Sequence, residues 1–347
     1  MAGQLSTTSL LFTAPRRVEL QHDALPAPDS GQLLVRTQLS GISAGTELML
    51  YRGEAPAEMA ADEALPALHG DLSFPLRYGY CAVGQVLQAG AQVDPGWIGR
   101  RVFAFQPHTS HFLALTPDLL SLPDDLTDEL ALLLPAMETA LHLVHEGAPL
   151  AGECVAVFGQ GLVGLLTVAL LARFPLQALV TLEPLAERRA ASLRLGAHAS
   201  LDPAEAGWRQ SLLECLGQSG PQAGADLTYE LSGRPETLNL ALESTAYDGR
   251  VVVGSWYGRK MAPLELGGRF HRSHLRIIAS QVSHVQPELS GRWTKPRRLQ
   301  TALKLLRRIR PSGLVTHRFQ LAEAAAAYRL LDQHPEQALQ VVLSYDG

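Results

Sequence analysis

The residues with the clearest chemical meaning are three glycines that follow an apolar segment. The segment Cys154–Phe158 leads into Gly159-Gln-Gly161-Leu-Val-Gly164, and a helical pattern then runs to Arg173. In such a strand, turn and helix, the first glycine permits the tight turn, the second lets the backbone approach a pyrophosphate, and the third lets the helix pack on the strand. The helix N-terminus offers unpaired N–H groups to phosphate. The residues that we therefore expect to bind a dinucleotide are Gly159, Gln160, Gly161, Leu162, Val163 and Gly164.

A carboxylate at the end of the next predicted strand indicates which dinucleotide is bound. Ala178–Leu182 predicts that strand, and Glu183 follows it, nineteen residues after Gly164. A carboxylate there can accept hydrogen bonds from both ribose hydroxyls and repels a 2′-phosphate, which favours NAD(H) over NADP(H). Arg188 and Arg189 favour the opposite choice, because either could pair with that phosphate, so NADP remains the alternative.

Composition narrows the kinds of partner and the location. The chain has 347 residues with 29 Lys and Arg against 34 Asp and Glu, a net charge of −5 that disfavours nucleic acid as a partner. With 46% hydrophobic residues it can bury sizeable cores, and its length predicts two domains. No apolar run approaches the roughly 20 residues of a membrane-spanning helix, and the N-terminus shows no secretory signal. We therefore expect a cytoplasmic protein without a membrane partner.

The chain shows two different secondary-structure patterns, one in its first 120 residues and one from Asp128 onward. The first 120 residues hold short β-like runs separated by Pro and Gly, which predicts a compact antiparallel β domain. From Asp128 onward, helix-like and strand-like segments alternate, beginning with a helical pattern over Glu129–His145, and this predicts a parallel sheet with crossover helices. The predicted strands of that doubly wound sheet are Cys154–Phe158, Ala178–Leu182, Ala199–Leu201, Asp226–Glu230, Arg250–Gly254 and Leu275–Ala279.

The C-terminal segment predicts a return to the first domain. After Arg310-Pro-Ser-Gly313, the pattern indicates a strand, a helix over Leu321–Asp332 and a last strand. The expected fold class is therefore α/β, with a β-rich first domain of residues 1–145 and 312–347 and a doubly wound second domain of residues 146–311.

Several segments, together with this domain order, resemble the medium-chain dehydrogenase/reductase superfamily of the alcohol dehydrogenase type. The matching segments are Leu11–Leu20, Leu34–Glu47, Phe74–Gly84 and Glu138–His142. The resemblance covers nearly the whole chain and implies a GroES-like first domain, a Rossmann second domain and an NAD(P)-dependent oxidoreductase. It also implies a homodimer, because members often join the edge strands of their nucleotide domains.

The chain departs from this family at the positions of the catalytic zinc ligands. Where the family has a cysteine just before a Gly-Thr-Asp step, the chain has Ser43-Ala-Gly-Thr-Glu47 with one extra residue, and the family's Gly-His-Glu is replaced by Gly79-Tyr80-Cys81. The third ligand position falls within Leu134–Met137, and no cysteine occurs between Cys81 and Cys154 to build the family's structural zinc lobe. We therefore expect no zinc and no other metal. A replacement site made of Cys81, His69 and Glu47 is the alternative.

Two smaller branches of the family match more closely. The stretch Ser40–Gly53, with Gly-Tyr in place of Gly-His, resembles the bacteriochlorophyllide-type hydroxyethyl dehydrogenases. Ser255-Trp-Tyr-Gly258, Phe270-His271 and Ser280-Gln-Val282 resemble the signatures of a second, little-characterised group. Both branches imply an oxidoreductase, and neither resemblance fixes a substrate.

Without zinc, hydroxyl groups or an imidazole must stabilise the developing alkoxide and move the proton. Tyr80 stands where the metal-binding histidine would be, so its phenol is a candidate acid or hydrogen-bond donor, or it simply fills the cavity. Thr46 matches the family's proton-relaying hydroxyl and Ser43 is its neighbour in sequence, although either could instead cap a helix or strand. His271 is a candidate proton donor if its loop folds over the nicotinamide.

Further polar residues are weaker candidates. Glu47 could orient the hydroxyl relay or pair with Arg52. His108 and His111 fall in a loop between β segments, from which either could face a substrate.

The resemblance also assigns cofactor-binding positions outside the glycine loop. It places Thr139 beside the nicotinamide and Ser232-Gly233 under the adenosine ribose. It places Ser255, Trp256, Ser280, Gln281 and Val282 at the nicotinamide end, where the carboxyl ends of the strands are expected to lie. The basic run Arg292–Arg298 could recognise an acidic substrate, but we interpret it as the start of a solvated helix.

These observations favour one function and leave two alternatives. The favoured function is a zinc-independent, NAD(H)-dependent dehydrogenase/reductase acting on a secondary alcohol or carbonyl of a small molecule bound between the two domains. The first alternative is an NADPH-dependent quinone or enoyl reductase, which needs a cationic 2′-phosphate pocket. The second is a nucleotide-binding sensor without turnover.

Overall fold

The computed structural model describes residues 5–62, 65, 67–220 and 222–345, and the secondary structure in this part of the chain confirms the α/β class. The strands are β1 (Leu5–Ala14), β2 (Arg17–Leu25), β3 (Gln32–Ile42), β4 (Ala82–Ala89), β5 (Arg101–Ala104), β6 (His111–Leu115), β7 (Leu119–Ser121), β8 (Cys154–Phe158), β9 (Ala178–Leu182), β10 (Ala199–Leu201), β11 (Ala225–Glu230), β12 (Thr245–Val253), β13 (Arg276–Ala279), β14 (Val315–Gln320) and β15 (Gln340–Ser344). The helices are α1 (Ala44–Arg52), α2 (Asp128–Ala131), α3 (Leu134–Gly147), α4 (Leu162–Leu171), α5 (Ala186–Arg194), α6 (Trp208–Leu216), α7 (Thr237–Ser244), α8 (Lys295–Ile309) and α9 (Ala324–Gln333).

Contacts between residues divide the chain into two units. One contains the residues up to Leu133 and those from Ser312 onward, and the other is Leu134–Pro311. The first boundary therefore lies twelve residues before the expected position after residue 145. The difference is the helix α3, which packs on α4 and α8 and so belongs to the second unit.

The first unit is built on antiparallel strands. β1 and β2 form a hairpin, and the main sheet has the order β14-β15-β3-β4-β5-β7, with β6 paired to β3. Only the pair β14 and β15 within this sheet is parallel. The last strand of the chain, β15, thus lies inside the sheet next to β3, which is the predicted return of the C-terminal segment.

The second unit contains a parallel sheet of order β10-β9-β8-β11-β12-β13. Numbered from its own first strand, this is the order 3-2-1-4-5-6 of the Rossmann fold, in which ligands lie at the carboxyl ends of the strands where the order reverses. Every residue of β8 and β9 is buried, as expected for central strands covered by helices on both faces. Each of the six predicted strands overlaps an observed one, although β12 begins earlier, at Thr245.

Two glycines let α3 lie close to this sheet. A side chain at Gly147 would collide with the hydroxyl of Tyr229 on β11, and a Cβ on Gly254, just after β12, would lie 2.8 Å from a methyl group of Leu143.

The helical pattern predicted over Glu129–His145 is interrupted, because α2 ends at Ala131 before α3 begins. No helix in the described part of the chain has the length and apolar character needed to cross a bilayer.

Candidate functional site

The glycine loop between β8 and α4 has two glycines fixed by packing and one that faces open space. Gly159 has φ +86°, and a Cβ there would lie 2.6 Å from the backbone of Ser232. A Cβ on Gly164 would collide with the carbonyl oxygen of Gly159, whereas one on Gly161 would have no atom within 4 Å. Gly161 caps α4 without a side-chain hydrogen bond, so the first N–H groups of the helix, at Leu162 and Val163, have no side-chain cap. This loop fits a pyrophosphate.

Glu183 and Gln160 tie this loop to the end of β9. Oε2 of Glu183 accepts a hydrogen bond from the backbone N–H of Gln160 at 2.7 Å, and its Oε1 accepts one from Leu185 at 3.1 Å. The carboxylate is buried, and each oxygen retains a second lone pair for a ribose hydroxyl. The side-chain oxygen of Gln160 is buried without a hydrogen-bond partner.

The two arginines that could bind a 2′-phosphate lie in the first half of α5. The guanidinium of Arg189 donates to the carbonyl oxygens of Glu183 and Pro184, at 2.9 and 2.7 Å, and to Oδ2 of Asp202 at 3.2 Å. The side chain of Arg188 is half-buried in the first turn of the helix. These three acceptors hold the guanidinium of Arg189 within the protein rather than directing it toward a 2′-phosphate.

Beyond the glycine loop, a buried carboxylate organises the ends of β11 and β12. Glu230 accepts hydrogen bonds from the N–H and hydroxyl of Ser232 and, at 2.5 Å, from the hydroxyl of Tyr257. Burial and the adjacent carboxylate raise the pKa of Tyr257, which keeps its phenol protonated as a donor. The hydroxyl of Ser255 accepts the N–H of Gly233 at 2.8 Å. Trp256 is 36% exposed, whereas its neighbours Ser255 and Tyr257 are half-buried.

The remaining predicted cofactor residues of the second unit lie on α3 and after β13. Thr139 is partly exposed on α3, and its hydroxyl donates to the carbonyl oxygen of Pro135. Ser280 extends β13 by donating its N–H to the carbonyl oxygen of Val253 at 2.9 Å. Gln281 is exposed, and its side-chain oxygen accepts the N–H of Ser283. The carbonyl oxygen of Val282 accepts a hydrogen bond from Arg298.

Parallel strands bring most of these residues to one edge of the sheet. The residues at that carboxyl edge are Gly159, Gln160, Gly161, Glu183, Ser232, Gly233, Ser255, Trp256, Ser280, Gln281 and Val282. His271 precedes β13 and is exposed at the opposite, amino edge. The structure does not bring His271 to the nucleotide loop, so we do not retain it as a proton donor.

The first unit holds a cluster of three hydroxyl groups, which belong to residues that the resemblance matches to the segments of the family's zinc ligands and proton relay. Tyr80 donates its phenolic hydrogen to Oγ of Ser43 at 2.5 Å and lies 3.5 Å from Oγ1 of Thr46. Ser43 is the N-cap residue of α1, and Thr46 is in its first turn. Burial raises the pKa of Tyr80 to about 12, so the phenol is neutral and can donate a hydrogen bond at any physiological pH.

A buried ionisable network supports this hydroxyl cluster. Oε1 of Glu47 accepts the N–H of Ser43 at 2.7 Å, and its Oε2 accepts hydrogen bonds from Nε2 of His108, at 2.9 Å, and from the hydroxyl of Tyr328. Glu47 and His108 have no exposed surface. Nδ1 of His108 contacts Oγ of Ser40 at 2.6 Å. His108 is therefore a buried structural residue that joins Glu47 to Ser40, and the expectation that it faces a substrate is wrong.

Gly79 is the position at which this network requires a glycine. It has φ +115°, and a Cβ there would lie 2.8 Å from the imidazole ring of His108. The other predicted partner of Glu47, Arg52, pairs instead with Asp332 at 2.5 Å. His111 is half-buried at the start of β6 with Ser110 as a side-chain neighbour, outside the hydroxyl cluster.

The three residues of the alternative metal site, Cys81, His69 and Glu47, lie in different environments and do not form a site. Cys81 is buried and its thiol donates to the carbonyl oxygen of Leu132 at 2.9 Å, while His69 is exposed. Glu47 is engaged by His108 and Tyr328. Across the described ranges, no group of three or more His, Cys, Asp or Glu side chains is arranged to hold a metal ion.

Sequence reasoning missed one residue of the second unit. The run Arg292–Arg298 was expected to be solvated, but Arg298 is 2% exposed and is bonded to Glu138 and His142 on α3. That interpretation is wrong for Arg298, although Arg292 and Arg297 are exposed as expected. The apolar face of α8 was the signal that could have found it, because Arg298 lies four residues before the buried Ala302.

Comparison with known proteins shows which dehydrogenases the chain is similar to. The family model described as zinc-binding dehydrogenase matches residues 163–305. Over 97% of this chain and 99% of the relative, the sequence is 23% identical to D-guloside 3-dehydrogenase of Escherichia coli (strain K12). It is 26% identical, over 98% of this chain and 99% of the relative, to 2-desacetyl-2-hydroxyethyl bacteriochlorophyllide A dehydrogenase of Cereibacter sphaeroides.

Solved structures share the fold over its full length. A short chain alcohol dehydrogenase from E. coli CFT073 in complex with NADH matches with a TM-score of 0.78 at 18% identity, covering 98% of this chain and 99% of that one. A protein from Sinorhizobium meliloti 1021 bound to NADP matches with a TM-score of 0.77 at 20% identity, covering 99% and 100%. The chain is therefore similar over nearly its whole length to alcohol dehydrogenase-like oxidoreductases of the medium-chain dehydrogenase/reductase superfamily, and it shares their fold.

Proposed function

We propose that this protein is a zinc-independent, NAD(H)-dependent dehydrogenase/reductase that interconverts a secondary alcohol and a carbonyl of a small molecule. The observation that carries this proposal is the cluster of Tyr80, Ser43 and Thr46, in which three hydroxyl groups stand at the family's metal-ligand and relay positions. The names of two relatives, dehydrogenases of a guloside and of a hydroxyethyl group, support a secondary alcohol as the substrate class.

The residues present do not fit a zinc ion. Zinc prefers thiolate, imidazole and carboxylate ligands, and the first two ligand positions carry the hydroxyl groups of Ser43 and Tyr80, which bond to each other. The third position falls at Leu134–Met137, which has no such side chain. The zinc-binding family model matches residues 163–305, which include none of these positions.

The side chains of the hydroxyl cluster can donate a hydrogen bond to a substrate oxygen and stabilise negative charge on it. The neutral Tyr80 phenol has one hydrogen, which it donates to Ser43 in this structure; turned to a substrate carbonyl oxygen, that hydrogen would stabilise the alkoxide that develops during reduction. Ser43 and Thr46 hold the phenol oxygen in place, and Glu47 fixes Ser43 by accepting a hydrogen bond from its backbone N–H. The nicotinamide, when bound, supplies the hydride for reduction or accepts it for oxidation.

The nucleotide site supports NAD(H) as the cofactor. The open space at Gly161, the uncapped N-terminus of α4 and the spare lone pairs of Glu183 fit a dinucleotide with a free ribose 2′-hydroxyl. The Glu183 carboxylate would repel a 2′-phosphate, and Arg189 is engaged by carbonyl groups and Asp202.

We expect the purified protein to bind NADH at least about tenfold more tightly than NADPH, because a 2′-phosphate would meet the buried carboxylate of Glu183. Parallel titrations by calorimetry or nicotinamide fluorescence measure both constants. Tighter binding of NADPH would contradict the assignment and move the quinone or enoyl reductase to first place. If neither nucleotide binds below millimolar concentration, the dehydrogenase proposal fails.

We further propose that the protein is a homodimer formed through the edge strand β13. This strand pairs only with β12 within the described sheet, and its outer residues Ile277 and Ala279 are exposed. An unpaired edge with apolar side chains is a template for pairing with a second copy. Sedimentation should give twice the 37.5 kDa mass of the chain, and Ile277→Lys should shift it toward the monomer. A monomeric unaltered protein would refute this assembly.

A further inference from the structure

Arg298 is the most deeply buried arginine or lysine in the described part of the second unit, and the hydrogen bonds of its guanidinium run to two structural elements. Its Nε donates to Oε1 of Glu138 at 3.0 Å, and its Nη1 donates to Nδ1 of His142 at 3.0 Å. Nη1 also donates to the carbonyl oxygen of His284 at 2.8 Å, and Nη2 donates to that of Val282. One guanidinium therefore joins α3 to the backbone that follows β13.

The acceptors on α3 are ordered to receive this cation. Glu138, His142 and Glu146 are spaced four residues apart and so lie on one face of the helix. Nδ1 of His142 accepts from Arg298, and its Nε2 lies 3.2 Å from Oε1 of Glu146 without the geometry of a hydrogen bond. Burial raises the pKa of Glu138, and the adjacent guanidinium opposes that shift.

The backbone that Arg298 holds is the segment 280–286, which emerges from the carboxyl edge of the sheet. Ser280 makes the last sheet hydrogen bond, to Val253, and the chain then leaves the sheet. At the far end of the segment, the side chain of Gln286 donates to the carbonyl oxygen of His145 on α3 at 3.0 Å. In this strand order the segment lies on the side of the phosphate loop opposite to Glu183, where the nicotinamide half of a dinucleotide belongs.

We propose that Arg298 is a positioning residue, which sets the nicotinamide-binding geometry by fixing the carbonyls of Val282 and His284 against the α3 face that bears Glu138 and His142. This inference rests on the proposed function, because it assigns a task to the segment 280–286 within the same nucleotide site. Arg298 acts through the segment and does not touch the cofactor. Its loss should weaken recognition of the nicotinamide ring and leave recognition of the ADP-ribose part intact.

The test compares two ligands on each variant. ADP-ribose carries the adenosine, pyrophosphate and second ribose of NADH but lacks the nicotinamide ring, so the ratio of its dissociation constant to that of NADH reports the nicotinamide site alone. For Arg298→Lys, whose single ammonium cannot replace the planar fork, we expect this ratio to fall about tenfold while the ADP-ribose constant stays within about twofold. A merely structural role would weaken both ligands together.

A double variant separates this effect from misfolding. Arg298→Met alone would leave Glu138 as an unpaired buried carboxylate, whereas Arg298→Met with Glu138→Gln removes both charges together. We expect the double variant to show the same fall in the ratio as Arg298→Lys. The matched control is Arg308→Met, an exposed arginine on the same helix, which should leave the ratio unchanged.

The outcomes are distinct. An unchanged ratio in Arg298→Lys or in the folded double variant overturns the inference, as does a parallel loss of ADP-ribose and NADH binding. Failure of the proposed function appears differently, as absence of binding of both ligands to the unaltered protein, and it overturns the inference with it.

Discussion

Gly161→Val is expected to leave the melting temperature of the protein within a few degrees and to weaken NADH binding about a hundredfold or more. A Cβ on Gly161 has no atom within 4 Å, and the residue has φ −70° and ψ −176°, an extended conformation that valine adopts readily. The same open space is where the backbone must approach the pyrophosphate, so a branched side chain would exclude the ligand. Calorimetric titration with NADH and a thermal melt measure the two quantities.

Gly164→Ala is the matched comparison, since it alters the same loop on its inner side. Its Cβ would collide with the carbonyl oxygen of Gly159, so we expect a loss of roughly 1–3 kcal/mol in the free energy of unfolding and a lower melting temperature. If Gly161→Val bound NADH as tightly as the unaltered protein, the glycine loop would not be the pyrophosphate site.

Tyr80→Phe is expected to lower turnover about a hundredfold, the usual contribution of a positioned proton donor, while NADH binding stays unchanged. The hydroxyl is the only group lost, and the ring continues to pack beside Tyr78, with ring centroids 6.2 Å apart in the unaltered protein. Burial raises the pKa of Tyr80 to about 12, so the phenol stays protonated below that pH. Ionisation of Tyr80 should therefore cause no loss of ketone reduction between pH 6 and roughly pH 11. Turnover with secondary alcohols or ketones found by screening measures the effect.

Tyr78→Phe is the control for this substitution. Tyr78 is a buried tyrosine two residues away, and its hydroxyl bonds to the carbonyl oxygen of Ala61 rather than to the hydroxyl cluster. It should keep near-normal turnover. Unchanged turnover in Tyr80→Phe would remove Tyr80 from the mechanism, and elemental analysis that finds stoichiometric, tightly bound zinc would contradict the zinc-independent assignment.

The parts of the protein that sequence reasoning predicted well depend on local signals. The strand Cys154–Phe158, the three glycines and the carboxylate of Glu183 stand in order along a short stretch, so their spacing alone defines the turn and its ligand. His271 could also have been judged from sequence. Because it precedes the predicted last strand of a parallel sheet, it must lie at the edge away from the glycine loop.

The parts that sequence reasoning missed depend on contacts between distant residues. Glu47 reaches Tyr328, 281 positions later, and no local pattern announces that pairing. Arg298 stands in a run of exposed arginines, and although the apolar face of α8 indicates that it points inward, the acceptors that it meets there depend on the packing of α8 on α3. A run of charged residues predicts that most of its members are exposed. Whether one arginine is buried depends on which acceptors the tertiary structure brings to it.

The β-rich unit draws on both ends of the chain, and this imposes an order on its synthesis. Its sheet contains β15 next to β3, and Tyr345 and Tyr328 reach Ser40 and Glu47. A ribosome makes the chain from its N-terminus, so the residues of the nucleotide-binding unit are all present before β15 exists. The unit that begins first is thus the last to be finished, and a nascent chain released near residue 311 would carry a complete nucleotide-binding unit while Glu47 still lacked Tyr328 and Ser40 still lacked Tyr345.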